Sequence, residues 1–373
     1  MKPSGIIGNH CVSMAAPMLK YETERYVIME ENGRLLGQEK EHEALTGERL
    51  VLVQPLGQDL EQSVQDAFDR IGVRSVICEG DSVAIKVNLG GGIHHVLTTY
   101  SDPVICEALI KVLKRLGARP FVCEADMRAH RMHDRLLHTR GYLEMLRRND
   151  VPFVNLSRGQ MALVTCRDLD IPLLLPEILL RPETKIVSFA PPKHHWECGI
   201  TGNQKNMYGA IGEPRKSIYH RKFNRIDKAV AAASRIMAPD INILASFNLG
   251  GGLGPHFCFP VQFDRMIISK DMIRGDKVMS EILGYPFERV EYAMINAAGK
   301  EVEYGLHPDS DWPSEETLKA IRESSLNPGK VRFWKRFLYP QYFVPHWFQS
   351  SVYPQFEFVA TWVNQLFFRS PKV

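Results

Sequence analysis

A polar stretch between residues 193 and 220 combines lysine, histidine and amide side chains at a density that few folds require. Its centre reads Thr-Gly-Asn-Gln-Lys-Asn-Met-Tyr-Gly at 201–209. Lysine supplies positive charge for an anion, and a lysine desolvated in a pocket can titrate low enough to carry a proton. A capped helix with solvated lysines is the alternative. From this stretch we predict catalytic roles for Lys193, His195, Lys205 and His220, and substrate-binding roles for Thr201, Asn206 and Tyr208.

The sequence Asn-Leu-Gly-Gly-Gly occurs twice, at 88–92 and at 248–252. Three consecutive glycines let the backbone turn tightly and present N–H groups to an anion such as a phosphate or a carboxylate. Neither copy has the G-x-G-x-x-G or G-K-[ST] spacing of a nucleotide-binding loop, and two unrelated tight turns are the alternative. We predict that these runs, with the strand before the first, contribute Lys86, Asn88, Gly90, Gly91 and Gly251 to substrate binding.

Seven of the thirteen histidines lie in loops that follow predicted strands. One of these strands leads into Glu124 and Asp126, and another leads into the run at 193–195. Imidazole and carboxylate groups together could ligate a divalent metal such as Fe, Mn or Zn, which would act as a Lewis acid or redox centre. Solvated loop histidines are the alternative. The predicted ligands are Glu124, His194, His195 and His220. The seven cysteines are scattered without a C-x-x-C pair, so no iron–sulfur cluster is expected.

Short apolar strands that alternate with amphipathic helices predict an α/β fold with a largely parallel sheet and helices on both of its faces. The predicted strands are Ser82–Val87, Pro120–Cys123, Pro152–Asn155, Lys185–Phe189, Ile241–Phe247 and Arg265–Ser269. The predicted helices are Asp59–Ile71, Pro103–Leu116, Tyr142–Arg148, Ile226–Met237, Met272–Leu283 and Phe287–Ala298. Ligands bind outside the carboxyl ends of the strands in such sheets, so we expect one polar site at that edge.

The α/β pattern covers only the middle of the chain, from 48 to 330. Residues 1–47 are polar with weak periodicity, and we predict an N-terminal extension there that is packed on the main body or partly mobile. Residues 331–373 hold fourteen aromatic side chains and form a predicted aromatic C-terminal arm. Such an arm must be buried, either over its own domain or in a homodimer. Arg332, Lys335 and Arg336 beside the rings leave attachment to a membrane surface as the alternative.

Charge and hydropathy limit the classes of partner. A formal net charge of +3 is too small for the concentrated basic face of a nucleic-acid binder. No stretch of eighteen apolar residues is present, so we expect no membrane span. Together with the scattered cysteines, which fit a reducing compartment, these features predict a cytoplasmic protein. Charge does not name the partner, which the lysine and glycine loops predict to be a small anionic metabolite.

Several of these motifs together resemble the family catalogued as domain of unknown function 362. The similarity rests on Lys86-Val-Asn88-Leu, Pro192-Lys-His-His195, Thr201-Gly-x-x-Lys205-Asn206-x-Tyr208-Gly209, His220-Arg221, and Ser269-Lys-Asp271 with Asp276. It extends over about residues 80 to 300 and implies an α/β domain. Many members of the family carry ferredoxin-like cysteine clusters. Those clusters are absent from this sequence, so an iron–sulfur role is not carried over.

The residues together favour an enzyme that acts on a small anionic substrate, a carboxylate or a phosphate. Redox chemistry and proton transfer both fit, which leaves a metal-dependent oxidoreductase or an isomerase or lyase. The alternative is a non-catalytic protein that binds a metabolite or a metal for a partner.

Overall fold

The computed structural model describes residues 16–90, 99–127, 131–195, 197–213, 216–220, 225–254 and 257–324. The predicted C-terminal arm at 331–373 and the predicted ligand Gly91 lie outside these ranges. The backbone of His220 is described, but its side chain is not.

Strands and helices alternate through most of the described chain. The strands are β1 Met18–Glu22, β2 Tyr26–Glu31, β3 Arg34–Glu39, β4 Leu50–Pro55, β5 Ser82–Val87, β6 Arg119–Glu124, β7 Phe153–Asn155, β8 Met161–Thr165, β9 Leu173–Pro176, β10 Thr184–Ala190, β11 Lys193–His195, β12 Gly199–Thr201, β13 Ile241–Leu253, β14 Phe257–Ser269 and β15 Gly305–Leu306. The helices are α1 Leu60–Ile71, α2 Pro103–Arg115, α3 Asp134–Thr139, α4 Tyr142–Arg148, α5 Asn203–Gly209, α6 Arg225–Ile236, α7 Met272–Leu283, α8 Glu291–Asn296 and α9 Glu315–Glu323.

The main sheet has the strand order β15-β4-β14-β13-β10-β5-β6-β7, and the short β11–β12 ribbon joins it beside β13. The five strands from β13 to β7 run parallel, whereas β14 is antiparallel to both β13 and β4. The predicted α/β fold with a largely parallel sheet is therefore confirmed.

Side chains that alternate along the central strands pack into two separate hydrophobic cores, one on each face of the main sheet. Val83 and Ile85 of β5 point to the face covered by α1 and α2, together with Phe68 and Leu109. Ala84 points to the opposite face, where α6, α7 and α8 pack. Because parallel strands are buried on both faces, each strand is a nearly continuous apolar run in the sequence.

The helix boundaries follow from capping groups. The Asp102 carboxylate accepts a hydrogen bond from Val104 N at the start of α2, and Pro103 occupies the first turn. Asp271 caps α7 in the same way, by accepting from Ile273 N and Arg274 N. Such caps satisfy backbone donors that have no partner within the helix.

Part of the predicted N-terminal extension forms a second sheet. Strands β1, β2 and β3 pair with β8 and β9 in the order β1-β2-β3-β8-β9. The inner face of this sheet contributes Tyr26, Ile28, Leu35 and Val164 to the core beside α6. Residues 18–39 are thus built into the body of the protein.

Strand β13 continues through the second glycine run, where we predicted a loop. Gly250 pairs with Pro260, Gly251 with Phe259 and Gly252 with Cys258 of β14. A Cβ on Gly251 would lie 2.7 Å from Ser324 Oγ and 2.8 Å from Val261 Cγ2. Close packing of the segment after α9 against β13 therefore requires a residue without a side chain at position 251.

Candidate functional site

A buried ion pair stands at the carboxyl ends of β5 and β6. Lys86 Nζ lies 2.8 Å from Glu124 Oε1, and neither side chain is more than 1% exposed. Leu89 N and Ala125 N also donate to the Glu124 carboxylate, at 3.0 and 2.9 Å. Adjacent parallel strands in register place these two residues side by side, since Lys86 pairs with Cys123, the residue before Glu124.

Two asparagines connect this pair to Lys193. Asn206, in α5, receives hydrogen bonds from Lys86 Nζ and Asn88 Nδ2 on its Oδ1 atom, both at 3.3 Å. Its Nδ2 donates to Lys86 O at 2.8 Å and to Ser188 Oγ at 3.1 Å. Asn88 Oδ1 in turn accepts from Lys193 Nζ at 3.0 Å. The chain of contacts therefore joins α5 to the ends of β5, β6 and β11.

A close approach of the backbone at Gly209 makes room for the ion pair. A Cβ at this position would lie 3.0 Å from Lys86 Nζ and 3.4 Å from Glu124 Oε1. On its other side, Gly209 O accepts a hydrogen bond from Lys216 Nζ at 2.7 Å. The end of α5 thus separates Lys86 from Lys216 by the width of one backbone segment.

Two further lysines complete the cluster. Lys216 Nζ also donates to Asp126 O at 3.0 Å, and Tyr208 OH donates to Lys216 O at 3.0 Å. Lys205 Nζ lies 4.3 Å from the centroid of the Tyr208 ring, which is a cation–π distance. The Lys205 charge also acts on the buried Asp227 carboxyl, whose pKa it lowers against the effect of burial.

Burial and mutual repulsion change the protonation of two of these lysines. The pKa of Lys193 is lowered to about 8, mainly by desolvation and also by the charges of Arg140 and Lys205, against the opposing effect of Cys258. The pKa of Lys216 is lowered to about 7, mainly by desolvation, with the Lys86 charge contributing to the shift and the Glu124 charge opposing it. Both amines therefore exchange protons near neutral pH, the range that acid–base catalysis uses.

The β11–β12 ribbon brings Thr201 beside Lys193. These two residues are directly opposite each other in the antiparallel pair, so their side chains share one face. Thr201 Oγ1 is buried and has no hydrogen-bond partner within the described ranges. A buried hydroxyl beside an amine can hydrogen-bond to a ligand, because a buried polar group without a partner costs free energy.

The neighbouring histidines take different positions. His194 alternates with Lys193 along β11 and thus lies on the opposite face, where burial lowers its pKa to about 4. His195 Nδ1 accepts hydrogen bonds from Glu197 N and Cys198 N, both at 3.1 Å. His194 is therefore separated from the lysine cluster, and one ring nitrogen of His195 is engaged in the local turn.

The described members of the predicted metal set do not converge. Both Glu124 oxygens are used by Lys86 and backbone amides, and no three His, Cys, Asp or Glu side chains come together as a metal site in the described part of the chain. A divalent metal stays a prediction that rests on His220, whose side chain is not described, and on loop histidines outside the described ranges.

The glycine runs also differ in position. Gly250 N donates to Pro192 O and Gly252 N donates to Ser324 O, at 3.1 and 3.0 Å, so these amides of the second run are used within the protein. Gly90 ends the described part of the first run, and its Cβ position lies 3.2 Å from Asn88 Oδ1. Gly250 also pairs with Lys193 where β11 joins β13, so both glycine runs border the asparagine–lysine cluster, although these two amides of the second run are already donated within the protein.

Sequence patterns missed Lys216 and the acceptor role of the Asp126 carbonyl. Lys216 follows the glycines of residues 209–212 in a segment without periodicity. The one feature that could have identified Lys216 is its position between the polar α5 and His220, within the 193–220 stretch to which we assigned catalytic residues.

A comparison with protein families identifies the family of this chain. The model of the family described as Domain of unknown function (DUF362) matches residues 83–281. The chain belongs to this family. The matched range contains Lys86, Glu124, Lys193, Lys205 and Lys216, so the whole cluster lies inside the family domain and the resemblance drawn from the motifs is confirmed.

One relative has a name that includes a cellular location. Thylakoid-associated protein sll1697 from Synechocystis sp. is 24% identical over 241 residues, which cover 64% of this chain and 72% of that protein. In the described residues of the present chain, no helix has the length and apolar character needed to cross a membrane.

Proposed function

We propose that the protein is an enzyme that binds a small anionic metabolite, a carboxylate or a phosphate, at the carboxyl edge of the main sheet and moves a proton on it with a lysine. The observation that supports this proposal most strongly is the surplus of buried cationic groups. Lys86, Lys193, Lys205 and Lys216 are each no more than 8% exposed. Three buried carboxyl groups act on them, Glu124 and Asp126 on Lys216 and Asp227 on Lys205.

A bound anion would relieve this imbalance. Buried ammonium groups without a paired carboxylate are costly, and they either lose their proton or acquire a counter-ion. The lowered pKa values of Lys193 and Lys216 correspond to the first outcome. Ligand binding would supply the second.

The hydrogen bonds divide the lysines by role. An ammonium group has three N–H donors, and Lys86 uses all of its donors on Glu124, Val87 O and Asn206. Lys86 therefore organises the site, although the sequence motif placed it among the substrate-binding residues. Lys193 and Lys216 each commit two donors, so each has one position left for a ligand.

The same geometry suits a proton acceptor. When Lys216 is neutral, its two N–H groups are donated to Asp126 O and Gly209 O, and the lone pair points away from both carbonyls. A proton on the substrate carbon next to the carboxylate can move to this lone pair and form the ammonium, while the electron pair of the broken C–H bond delocalises into the carboxylate group as an enolate. Lys205, Asn88 and Thr201 then hold and orient the anion. Abstraction of a proton next to a carboxylate is chemistry of isomerases and lyases.

Solvent isotope exchange tests this proposal. The protein is incubated in D₂O with a panel of small carboxylates and phosphate esters, and deuterium incorporation is followed by mass spectrometry. We expect exchange on at least one compound and its loss in Lys216→Met. Lys185→Met, at the amino end of β10, is the control and keeps the exchange. Anion binding without exchange on any compound would instead support a non-catalytic binding protein.

Three predictions accompany this proposal. They are a cytoplasmic location, a homodimer formed through residues 331–373, and a divalent metal held with His220. Elemental analysis and the native mass of the protein as purified test the last two directly. The thylakoid association in the name of the Synechocystis protein belongs to that relative.

A further inference from the structure

The site helix α5 is held at its first turn by a buried carboxylate on α7. Asp276 Oδ1 accepts from Asn203 N at 2.7 Å, and Oδ2 accepts from Gln204 N at 3.2 Å and from Gln204 Nε2 at 3.1 Å. Asp276 is fully buried. Lys205 and Asn206 follow directly in the chain, so any shift of this turn moves both.

The cradle around the carboxylate is close-fitting. A Cβ on Gly202 would lie 2.2 Å from Asp276 Oδ1 and 2.8 Å from Met279 Cε. No side chain can therefore be added at position 202 without displacing the carboxylate. The glycine of the Thr-Gly motif is explained by the approach of Asp276.

A row of buried hydrogen bonds extends from this point. Gln204 Oε1 accepts from Asn296 Nδ2 at 2.8 Å, and Asn296 Oδ1 accepts from Arg235 Nη1 at 3.2 Å. Gln204 is thereby fixed on both sides, by Asp276 and by Asn296. The first turn of α5 is held by α7 and α8 together.

We propose that Asp276 is a positioning residue, whose ionised carboxylate fixes the first turn of α5 and thereby sets the affinity of the lysine cluster for its anion. The part of this inference that concerns anion affinity rests on the proposed function. Asp276 touches neither the lysines nor the ligand position, and it acts through Asn203 and Gln204.

The ionisation of Asp276 changes near neutral pH. Burial raises its pKa to about 7, against the hydrogen bonds from Asn203 and Gln204. The other titratable groups that act on it in the described structure are Asp271, whose charge raises the pKa further, and the Tyr292 phenol on α8. Asp271 itself is paired with Arg274 Nη1 at 2.9 Å. Above pH 7 the carboxylate accepts all three donors, and below pH 7 the added proton removes an acceptor position.

The experiment measures sulfate binding by calorimetry from pH 5.5 to 9, because sulfate does not titrate in this range. We expect a bell-shaped affinity, in which the acid limb reports Asp276 and the alkaline limb reports Lys193 and Lys216. Asp276→Asn should bind roughly tenfold more weakly at pH 8 and lose the acid limb, with the alkaline limb kept. Asp240→Asn is the control, since Asp240 also accepts a backbone bond, from Ile186 N at 2.7 Å, but lies at the amino ends of the strands.

Amide hydrogen exchange of residues 203–209 in the unsubstituted protein is the second measurement and needs neither ligand nor variant. After correction for the intrinsic rate, we expect less protection at pH 6 than at pH 8. Equal protection at both pH values, or an acid limb that survives in Asp276→Asn, overturns the positioning role. If sulfate does not bind at any pH, the proposed function fails, and so does the claim that Asp276 sets anion affinity. Amide hydrogen exchange then decides by itself whether Asp276 holds α5.

Discussion

Two buried clusters of charge in this protein are built in opposite ways. Where the five-stranded sheet meets α6, the Arg235 guanidinium contacts both Glu39 oxygens, at 2.7 and 3.1 Å, and Asp168 Oδ1 at 3.0 Å. At the carboxyl edge of the main sheet, four buried lysines lie near three carboxyl groups, those of Glu124, Asp126 and Asp227. Arg167 Nε also lies 3.7 Å from Glu39 Oε1, so the first cluster balances two guanidinium groups with two carboxylates, whereas the second has a surplus of ammonium groups.

The difference separates a structural cluster from a functional one. Hydrogen bonds and the charges of Glu39 and Asp168 raise the pKa of Arg235 despite its burial, so this cation keeps its proton. Burial instead lowers the pKa of Lys193 and Lys216. A complete ion-pair network needs no ligand, whereas a surplus of one charge favours a ligand of the other charge.

The largest expected effect is on the structural cluster. Arg235→Met removes both hydrogen bonds of the guanidinium to Glu39, which is 3% exposed, and leaves only the more distant Arg167 beside that carboxylate. Removing one partner of a buried pair costs about 3–5 kcal/mol. The free energy of unfolding from urea titration at pH 7 measures this loss. Arg265→Met, which breaks the more exposed pair with Asp311, should cost less than about 1 kcal/mol. Similar losses for both variants would contradict the distinction.

The next effect is the pH dependence of stability. Lys216 has a folded-state pKa of about 7 against an ordinary value of 10.5, so between these values the unfolded chain binds more protons than the folded one. The free energy of unfolding should therefore rise as pH increases from 7 to 10, by up to about 4 kcal/mol for one such lysine. Lys216→Met should flatten this rise. If the pH profile of the unfolding free energy is the same in the variant, the Lys216 amine is exposed to water and its pKa is not lowered.

Replacement of Lys193 should separate affinity from stability. Lys193→Met removes one donor to Asn88 and a cationic group beside Thr201, so we expect at least about tenfold weaker sulfate binding. The unfolding free energy should change by less than about 2 kcal/mol, because relief from burying an amine offsets two lost hydrogen bonds. Calorimetry and urea titration of the same samples give both quantities, and Lys185→Met keeps both. A large loss of stability with unchanged affinity would reverse the assigned role.

The smallest effect concerns Thr201. Thr201→Val keeps the shape of the side chain but removes the hydroxyl, so sulfate affinity should fall about three- to tenfold with little change in stability. Thr201→Ser keeps the hydroxyl and serves as the matched control. If the valine variant binds sulfate as well as the natural protein does, the hydroxyl does not contact the anion.

Local signals predicted the elements that position the site. The parallel strands and their helices were predictable because strands buried on both faces are apolar runs and Asp102 with Pro103 marks the start of α2. The five-stranded sheet was missed because its outer face also carries apolar residues, with Leu19, Leu36 and Leu163 at 52%, 39% and 43% exposure. Those residues hide the alternation that marks a strand with one solvated face.

Long-range contacts explain the remaining differences. The glycines at 250–252 suggested a loop, yet they serve close packing with residues far away in the sequence, such as Ser324. Lys216 has no local pattern, and its role depends on carbonyl groups of Asp126 and Gly209 that only the fold brings together. Residue types therefore indicated the stretch that carries chemistry but not which of its lysines titrates.

Proton uptake on anion binding tests the central claim most directly. Sulfate binding is measured at pH 8 by calorimetry in buffers of different ionisation enthalpy, which gives the number of protons that enter the protein with the anion. The lysine cluster predicts net uptake approaching one proton, because an anion raises the lowered pKa values of Lys193 and Lys216. The uptake should fall in Lys216→Met. Binding without proton uptake, or no binding at all, would contradict the account of the cluster as an anion site.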